Sequence, residues 1–343
     1  APSSTTTTLA LWLMRGVVAL AVCLSVLLQT MQASAWDQRD VARIVSAYKP
    51  LRRHPVLFDA KAGWGRWVEP ALLDALAELK AGNEAPVRAL LKVEVEGVYS
   101  FAIFTDEFCD MFLAELDNYY ATGLPQPRPN SMNNYGIIVN QIGMQAVITR
   151  LQTEVLLPLS ELLFPAQAKG GFTGHHSFMV KYTAGEDLGL DMHTDDSDVT
   201  FNMCLGRNFT GAKLTLCGDS RMPKHRQFYH SYEHVRGRAL IHLGSRRHGA
   251  DDITSGERNN LIVWNSNQRY RDSREYVNRQ PYHREEGPPD PRCLSYTHDR
   301  DYGSYRDYPP GKQAHAGRGW CPPDFACYDA MDSVLARAGA KDE

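Results

Sequence analysis

Two kinds of hydrophobic spacing divide the chain. Leu72, Leu73, Leu76 and Leu79 recur at helical spacing and predict a helix over Ala71–Ala81. Val98 to Phe104 (VYSFAIF) reads as a strand. Thr105 or Asp106 then opens a helix whose Phe108, Met111, Phe112, Leu116 and Tyr119 form one apolar stripe, a core face. A loop with Pro125, Pro127 and Pro129 leads through Asn133-Asn134-Tyr135-Gly136 to a second helix over Val147–Leu163, with a kink expected at Pro158. After Gly170-Gly171 the pattern becomes that of short strands between turns: HSFMVKY, DVTFNMCL, AKLTLC, RALIHL and NLIVW, rich in β-branched and aromatic residues. Strands at this spacing argue a sandwich or jelly roll with helices beside it, a mainly β, α+β chain. No internal repeat is visible, and the residues beyond 272 are Tyr-, Pro- and Arg-rich with little periodicity, an ordered extension or a partly disordered tail.

The first 35 residues follow a different logic. Arg15 precedes thirteen uncharged residues (GVVALAVCLSVLL), and a polar stretch ends at Ala33-Ser34-Ala35. That layout predicts a secretory signal peptide or, if Leu9–Met14 joins the apolar run, a retained membrane anchor; a buried core helix is the plainer alternative. The expected division is therefore leader 1–35, helical preface 36–97, main domain 98–272 and extension 273–343.

Composition adds limits. The 343 residues are 43% hydrophobic with a formal net charge of -3, enough for a full core and no field that would gather nucleic acid or anionic lipid. Nucleic acid is not an expected partner, and a membrane is expected only through the leader. Arg269, Arg271, Arg274, Arg279 and Arg284 are interleaved with acids and read as a solvated face. Of seven cysteines, Cys23 belongs to the leader, leaving Cys109, Cys204, Cys217, Cys293, Cys321 and Cys327 to pair in an oxidising lumen. Spacing favours a Cys321–Cys327 bridge, while Cys204 in a strand-like run also suits a core position. The sequon Asn208-Phe209-Thr210 agrees with secretory passage, and the expected location is the endoplasmic reticulum lumen or its membrane.

The chemistry concentrates at His193-Thr194-Asp195, two ligands that an extended chain would send to one face. Alone, H-x-D occurs by chance, and an acidic solvated turn is the alternative. His248, just past RALIHL, is placed to close a facial triad from a neighbouring strand, or is a structural histidine. Two imidazoles and one carboxylate hold a divalent iron with open positions, which a closed zinc site does not offer. Arg258, ten residues past His248 with Gly256 in the intervening turn, is a cation for a distant carboxylate, or a surface partner of Glu257. Arg258, Asn260, Ile262 and Trp264 share strand parity.

These residues resemble the 2-oxoglutarate- and iron-dependent oxygenase superfamily in its prolyl- and lysyl-hydroxylase-like branch. The segments FTDEFCDMFLAEL, RPNSMNNYG, FMVKYTAGEDLGLDMHTDDSDVTFNMCLG, HLGSRRHGA and SGERNNLIVW are similar, more narrowly, to the group of 2-oxoglutarate and iron-dependent oxygenase domain-containing protein 2. The resemblance covers roughly residues 98–267. It implies a double-stranded β-helix (jelly roll, cupin-like) core, Fe(II) on His193, Asp195 and His248, and 2-oxoglutarate on Arg258. Tyr182 and Asn202 fall where relatives carry co-substrate contacts; a core aromatic and a strand-edge polar residue are the alternatives. Ala212-Lys213-Leu214 departs from the related pattern after Gly211, which puts the substrate-side wall in doubt. The implied reaction consumes dioxygen, decarboxylates 2-oxoglutarate to succinate and hydroxylates an unidentified protein or small-molecule substrate, a peptidyl Pro or Lys first, with ascorbate as a further cofactor. Two rivals stay open: an inert β-helix serving as a metal-binding or interaction module, and a cupin-type metal hydrolase, which has no use for Arg258.

Overall fold

A computed structural model describes residues 38–61, 64–126, 128–130, 132–279 and 287–295. The leader, the Cys321/Cys327 pair and most of the C-terminal extension lie outside them. The chain separates into two compact units, Ala1–Arg43 and Ile44–Glu343. Of the first, only the opening turns of a helix over Gln38–Tyr48 are described. Among the described residues no helix is long and apolar enough to cross a membrane.

Among the described residues the second unit has twelve strands: β1 (Lys92–Val95), β2 (Val98–Ala102), β3 (Gly136–Ile138), β4 (Gly174–Thr183), β5 (Leu190–His193), β6 (Val199–Gly206), β7 (Phe209–Gly211), β8 (Leu214–Asp219), β9 (His230–Tyr232), β10 (Arg238–Leu243), β11 (Arg246–Ala250) and β12 (Ile253–Ser266). They form an eight-stranded sheet in the order β1-β2-β10-β6-β12-β4-β3, with β7 on β12, and a four-stranded sheet in the order β5-β11-β8-β9. All pairings are antiparallel. Two antiparallel sheets whose strands alternate between them make the jelly-roll form of the double-stranded β-helix. Phe178, Val180, Tyr182 and Ile262 of the larger sheet meet Leu190 and Ala250 of the smaller one in a shared core.

Helices cover the larger sheet. Every residue of β6 is buried, including Thr200 and Asn202, which alternate with apolar Val199, Phe201 and Met203 and line an interior cavity. The predicted first helix is observed over Pro70–Lys80. The helix expected to open at Thr105 or Asp106 runs Asp106–Ala121 with Thr105 as N-cap: its hydroxyl accepts from the Phe108 amide at 3.3 Å and donates to the Arg66 carbonyl at 2.6 Å. Phe108, Phe112, Leu116 and Tyr119 of the predicted stripe are buried and Met111 is half-buried.

The helix expected over Val147–Leu163 is interrupted. It runs Gln145–Leu151, widens to a π-helical turn over Gln152–Leu156, and resumes over Leu157–Leu163, where Pro158 lies in the first turn. Proline has no N–H to give the preceding turn, and the widened turn absorbs that mismatch. The same turn aims Gln152 at the sheet, where Nε2 donates to the Gly174 carbonyl at 3.0 Å and to Asn265 Oδ1 at 2.8 Å.

The boundary expected between residues 97 and 98 falls inside the β1–β2 hairpin. Residues 44–97 are part of the main unit: Tyr48 donates to the buried Glu115 carboxylate, and the Glu69 amide bonds the Ile103 carbonyl at 3.0 Å. The mixed composition of this stretch hid its role because its buried positions, Tyr48, Leu57, Trp67, Leu72 and Val87, are scattered among exposed ones.

Candidate metal and co-substrate site

Three side chains converge between the sheets. His193 ends β5 and lies directly opposite His248 on β11. Asp195, two residues past the strand end, folds back so that one carboxylate oxygen lies 3.4 Å from His193 Nε2 and 3.6 Å from His248 Nε2. One potential ligand atom from each of the three residues lies within 4.8 Å of the others. Asp195 is therefore not on a continuous extended strand with His193, as the spacing suggested. Its backbone N–H instead bonds the Gly244 carbonyl at 2.9 Å, in the β10–β11 turn. Gly244 fits this contact because a Cβ there would lie 1.9 Å from the Ser197 carbonyl oxygen.

The tautomer of each imidazole follows from its neighbours. His193 Nδ1 is 2.7 Å from the Asp191 carbonyl and His248 Nδ1 is 2.9 Å from the Arg246 carbonyl. A carbonyl only accepts, so each Nδ1 carries a proton and Nε2 is the nitrogen turned to the centre, its lone pair available to a metal in the neutral ring. Burial drives the His248 pKa down to about 3, against the pull of Asp195. Burial raises the Asp195 carboxyl, but His248 and His193 outweigh it and the group stays ionised. The second Asp195 oxygen accepts from Thr200 Oγ1 on β6 at 2.7 Å. Two neutral nitrogens and one carboxylate, each oriented from behind, fit an open-sided divalent metal site.

A cavity of about 410 Å³, its open mouth included, adjoins the triad and is lined by Tyr182, Asn202, Thr200, Arg258, Ile262 and Trp264 among others. Arg258 lies on β12 opposite Tyr182 on β4, is 1% exposed, and stacks its guanidinium 4.5 Å from the Tyr182 ring centroid. It makes no pair with Glu257, which contacts Lys181 and Arg207 instead. Arg258 Nη1 donates to the Ala212 carbonyl while Nε has no protein partner. Burial lowers its pKa, with partial relief from Tyr182, yet guanidinium stays charged at ordinary pH.

Tyr182 is both a core aromatic and a cavity wall, and its hydroxyl accepts from Asn133 Nδ2 at 3.1 Å. Asn202 accepts from Asn260 Nδ2 at 2.5 Å on the adjoining strand, so it is an interior residue rather than an edge one. Gly256 is not in a turn: it lies within β12 at φ +78°, where the Asn208 carbonyl approaches so closely that a Cβ would be 2.0 Å away. Ala212, at the departure from the related pattern, holds φ +48° and contacts the Arg258 end of the cavity. The departure therefore touches the cation.

Sequence reasoning missed Thr200, Gly244 and the strands that carry both histidines. LDMH and RRHGA are too short and too polar to announce themselves as strands. Asp195, Asp196 and Asp198 do not form a uniformly solvated turn either: Asp198 is buried and meets Arg271 at 3.0 Å, while Asp196 is exposed.

Residues 44–169 match the OGFOD2-like domain. The chain is 38% identical over 186 residues to 2-oxoglutarate and iron-dependent oxygenase domain-containing protein 2 of Xenopus tropicalis, covering 54% of this chain and 53% of that protein. Against the Homo sapiens protein of the same name it is 35% identical over 229 residues, 65% of this chain and 64% of the relative. The chain thus spans about half to two thirds of these relatives' length. A solved prolyl-4-hydroxylase of Pseudomonas putida aligns over 58% of this chain and 96% of its own, at 15% identity and a TM-score of 0.36. The chain accordingly carries an OGFOD2-like domain and is similar in sequence to the 2-oxoglutarate and iron-dependent oxygenase domain-containing proteins.

Proposed function

We propose that the protein is an Fe(II)- and 2-oxoglutarate-dependent dioxygenase that hydroxylates a substrate C–H bond. The observation that carries this reading is one cavity holding both a two-histidine, one-carboxylate cluster and a buried arginine with an unpartnered Nε. A metal hydrolase would use the first and gain nothing from the second, because burying an incompletely bonded guanidinium is costly. A dicarboxylate co-substrate answers both needs, with one end at the metal and the other at Arg258.

In this reading His193, Asp195 and His248 hold the iron, and the iron, when bound, supplies dioxygen activation coupled to decarboxylation of 2-oxoglutarate to succinate. Arg258 anchors the distal carboxylate by charge-assisted hydrogen bonds. Tyr182 stacks against that guanidinium and is fixed by Asn133, so the cation is held in place before the co-substrate arrives. Asn202 borders the same space with its carbonyl oxygen engaged by Asn260. Phe178, Ile262 and Trp264 line the cavity with apolar surface and limit water there.

A peptidyl Pro or Lys is the substrate class we favour, because relatives at lower identity include procollagen-lysine,2-oxoglutarate 5-dioxygenase 1 of Homo sapiens, 25% identical over 173 residues. Ascorbate as a reductant belongs to the same reading. Localisation in the secretory pathway, through the apolar leader, agrees with the Cys217–Cys293 disulfide, since such bonds persist in oxidising compartments.

The test is anaerobic titration of the protein with Fe(II) and then 2-oxoglutarate, following the weak visible charge-transfer band. Wild type should develop the band, Arg258→Ala should retain iron but require far more 2-oxoglutarate, and His193→Ala should lose iron. Tight iron binding with no band in wild type would point to an inert metal-binding scaffold and sink the proposal.

A further inference from the structure

The smaller sheet has a second face, turned away from the cavity. His193, His248 and Leu216 are register partners across β5, β11 and β8, and they face the interior. Met192 and Cys217 lie on the other side, where they cluster with Cys293 from a short turn over Pro291–Cys293. All three are at most 3% exposed. A segment more than forty positions beyond β11 in the sequence therefore covers the back of the strands that carry both histidines.

That segment is held by four different contacts. Cys293 is disulfide-bonded to Cys217 of β8. The Cys293 carbonyl accepts from Arg247 Nη2 at 2.8 Å, and Ser295 Oγ donates to Asp191 Oδ2 at 2.9 Å. The Asp290 amide bonds the Arg226 carbonyl at 2.7 Å. Ser295 and Arg247 are both fully buried and Asp191 is 1% exposed.

The anchored residues bear directly on the ligands. Asp191 supplies the carbonyl that orients His193, and Arg247 lies between His248 and Arg246, whose carbonyl orients His248. The ladder alone does not fix this geometry, because β11 is irregular beside His248 in its pairing with both neighbours. Where the regular pairing lapses, strand position must come from tertiary contacts.

We propose that residues Asp290–Ser295, stapled to the back of the smaller sheet by Cys217–Cys293, are a positioning element of the metal centre, holding Asp191 and Arg247 so that the two imidazoles keep the spacing a metal requires. This rests on the reading of His193, Asp195 and His248 as metal ligands. Asp191 Oδ1 accepts from the Met192 amide at 2.8 Å while Oδ2 accepts from Ser295, so the carboxylate ties the segment to the backbone next to His193. Outer contacts of this kind control metal affinity through ligand orientation.

The test uses the full chain and Co(II), an air-stable probe whose visible band reports coordination geometry. Ser295→Ala should weaken Co(II) binding on the order of 10-fold and shift the band, while the metal-free protein keeps its melting temperature within a few degrees. Cys217→Ala/Cys293→Ala should weaken binding at least as much. Unchanged affinity and band in both variants overturns the proposal, as does a loss of melting temperature in either variant with Co(II) affinity intact. Wild type that binds Co(II) no better than His193→Ala/His248→Ala would sink the metal reading itself, an outcome distinct from failure of the positioning element.

Discussion

Asp195 is held by groups from two other elements, the β10–β11 turn and β6. Its N–H reaches Gly244 and its outer oxygen reaches Thr200, so the carboxylate meets the metal position in one orientation. Removing the Thr200 hydroxyl leaves a buried carboxylate oxygen without that donor, at a cost of about 1–3 kcal/mol. We expect Thr200→Val, nearly equal in volume, to weaken divalent metal binding by on the order of 10-fold in isothermal titration. Wild-type affinity in that variant would show that Thr200 only fills space. Arg258 is legible from the sequence as a cation on the inner face of a strand, but its stacking on Tyr182 of β4 and its bond to Ala212, between β7 and β8, come from segments distant in sequence.

Elements place these residues through backbone contacts that side-chain patterns do not report. The β10–β11 turn can approach the loop after β5 because residue 244 has no Cβ. Gly244→Ala should displace that loop, lowering the melting temperature and weakening metal binding at least 10-fold. Gly65, in a short helix, has open space within 4 Å of where a Cβ would lie, and Gly65→Ala should be neutral or stabilise by up to about 1 kcal/mol through helix propensity. Calorimetry of the two variants side by side decides the point, since equal shifts would show that the close approach is not what limits position 244. The Asp106–Ala121 helix offers a milder case: Thr105→Ala should cost about 1 kcal/mol in urea unfolding, and no change would mean that its N-cap bond contributes nothing. This helix is readable in full because its cap, its acidic first turn and its apolar stripe all lie within one short segment. The turn over Gln152–Leu156 is readable only as a kink, since its docking partners Gly174 and Asn265 are distant in the chain.

At the scale of the molecule, several half-buried histidines sit in surroundings that favour the neutral ring. Burial pushes His175 down to about 4, and lowers His176 and His234 in the same direction. Each binds a proton near pH 6.5 when unfolded but resists doing so when folded, so the unfolded chain holds more protons as pH falls below 6.5. Stability is therefore full above that pH and declines toward the folded values. His175 alone should cost roughly 2 kcal/mol between pH 6.5 and 5. Urea unfolding of the metal-free protein at pH 7.5, 6.5 and 5 measures this, and a flat profile would contradict the burial of these rings.

The sequence by itself determined the longer helices and the apolar strands and singled out the candidate ligands, because helical and alternating periods, caps and the H-x-D spacing are local properties of consecutive residues. It also carried the jelly-roll expectation, through the succession of short strands. Only the tertiary structure decided that residues 44–97 belong to the same unit, that LDMH and RRHGA become paired strands, and that Cys217 joins Cys293 rather than another cysteine. The physical reason is common to all three. Short polar strands, scattered core positions and disulfide partners gain their stabilisation from chain distant in sequence, and no local pattern records which distant segment will supply it.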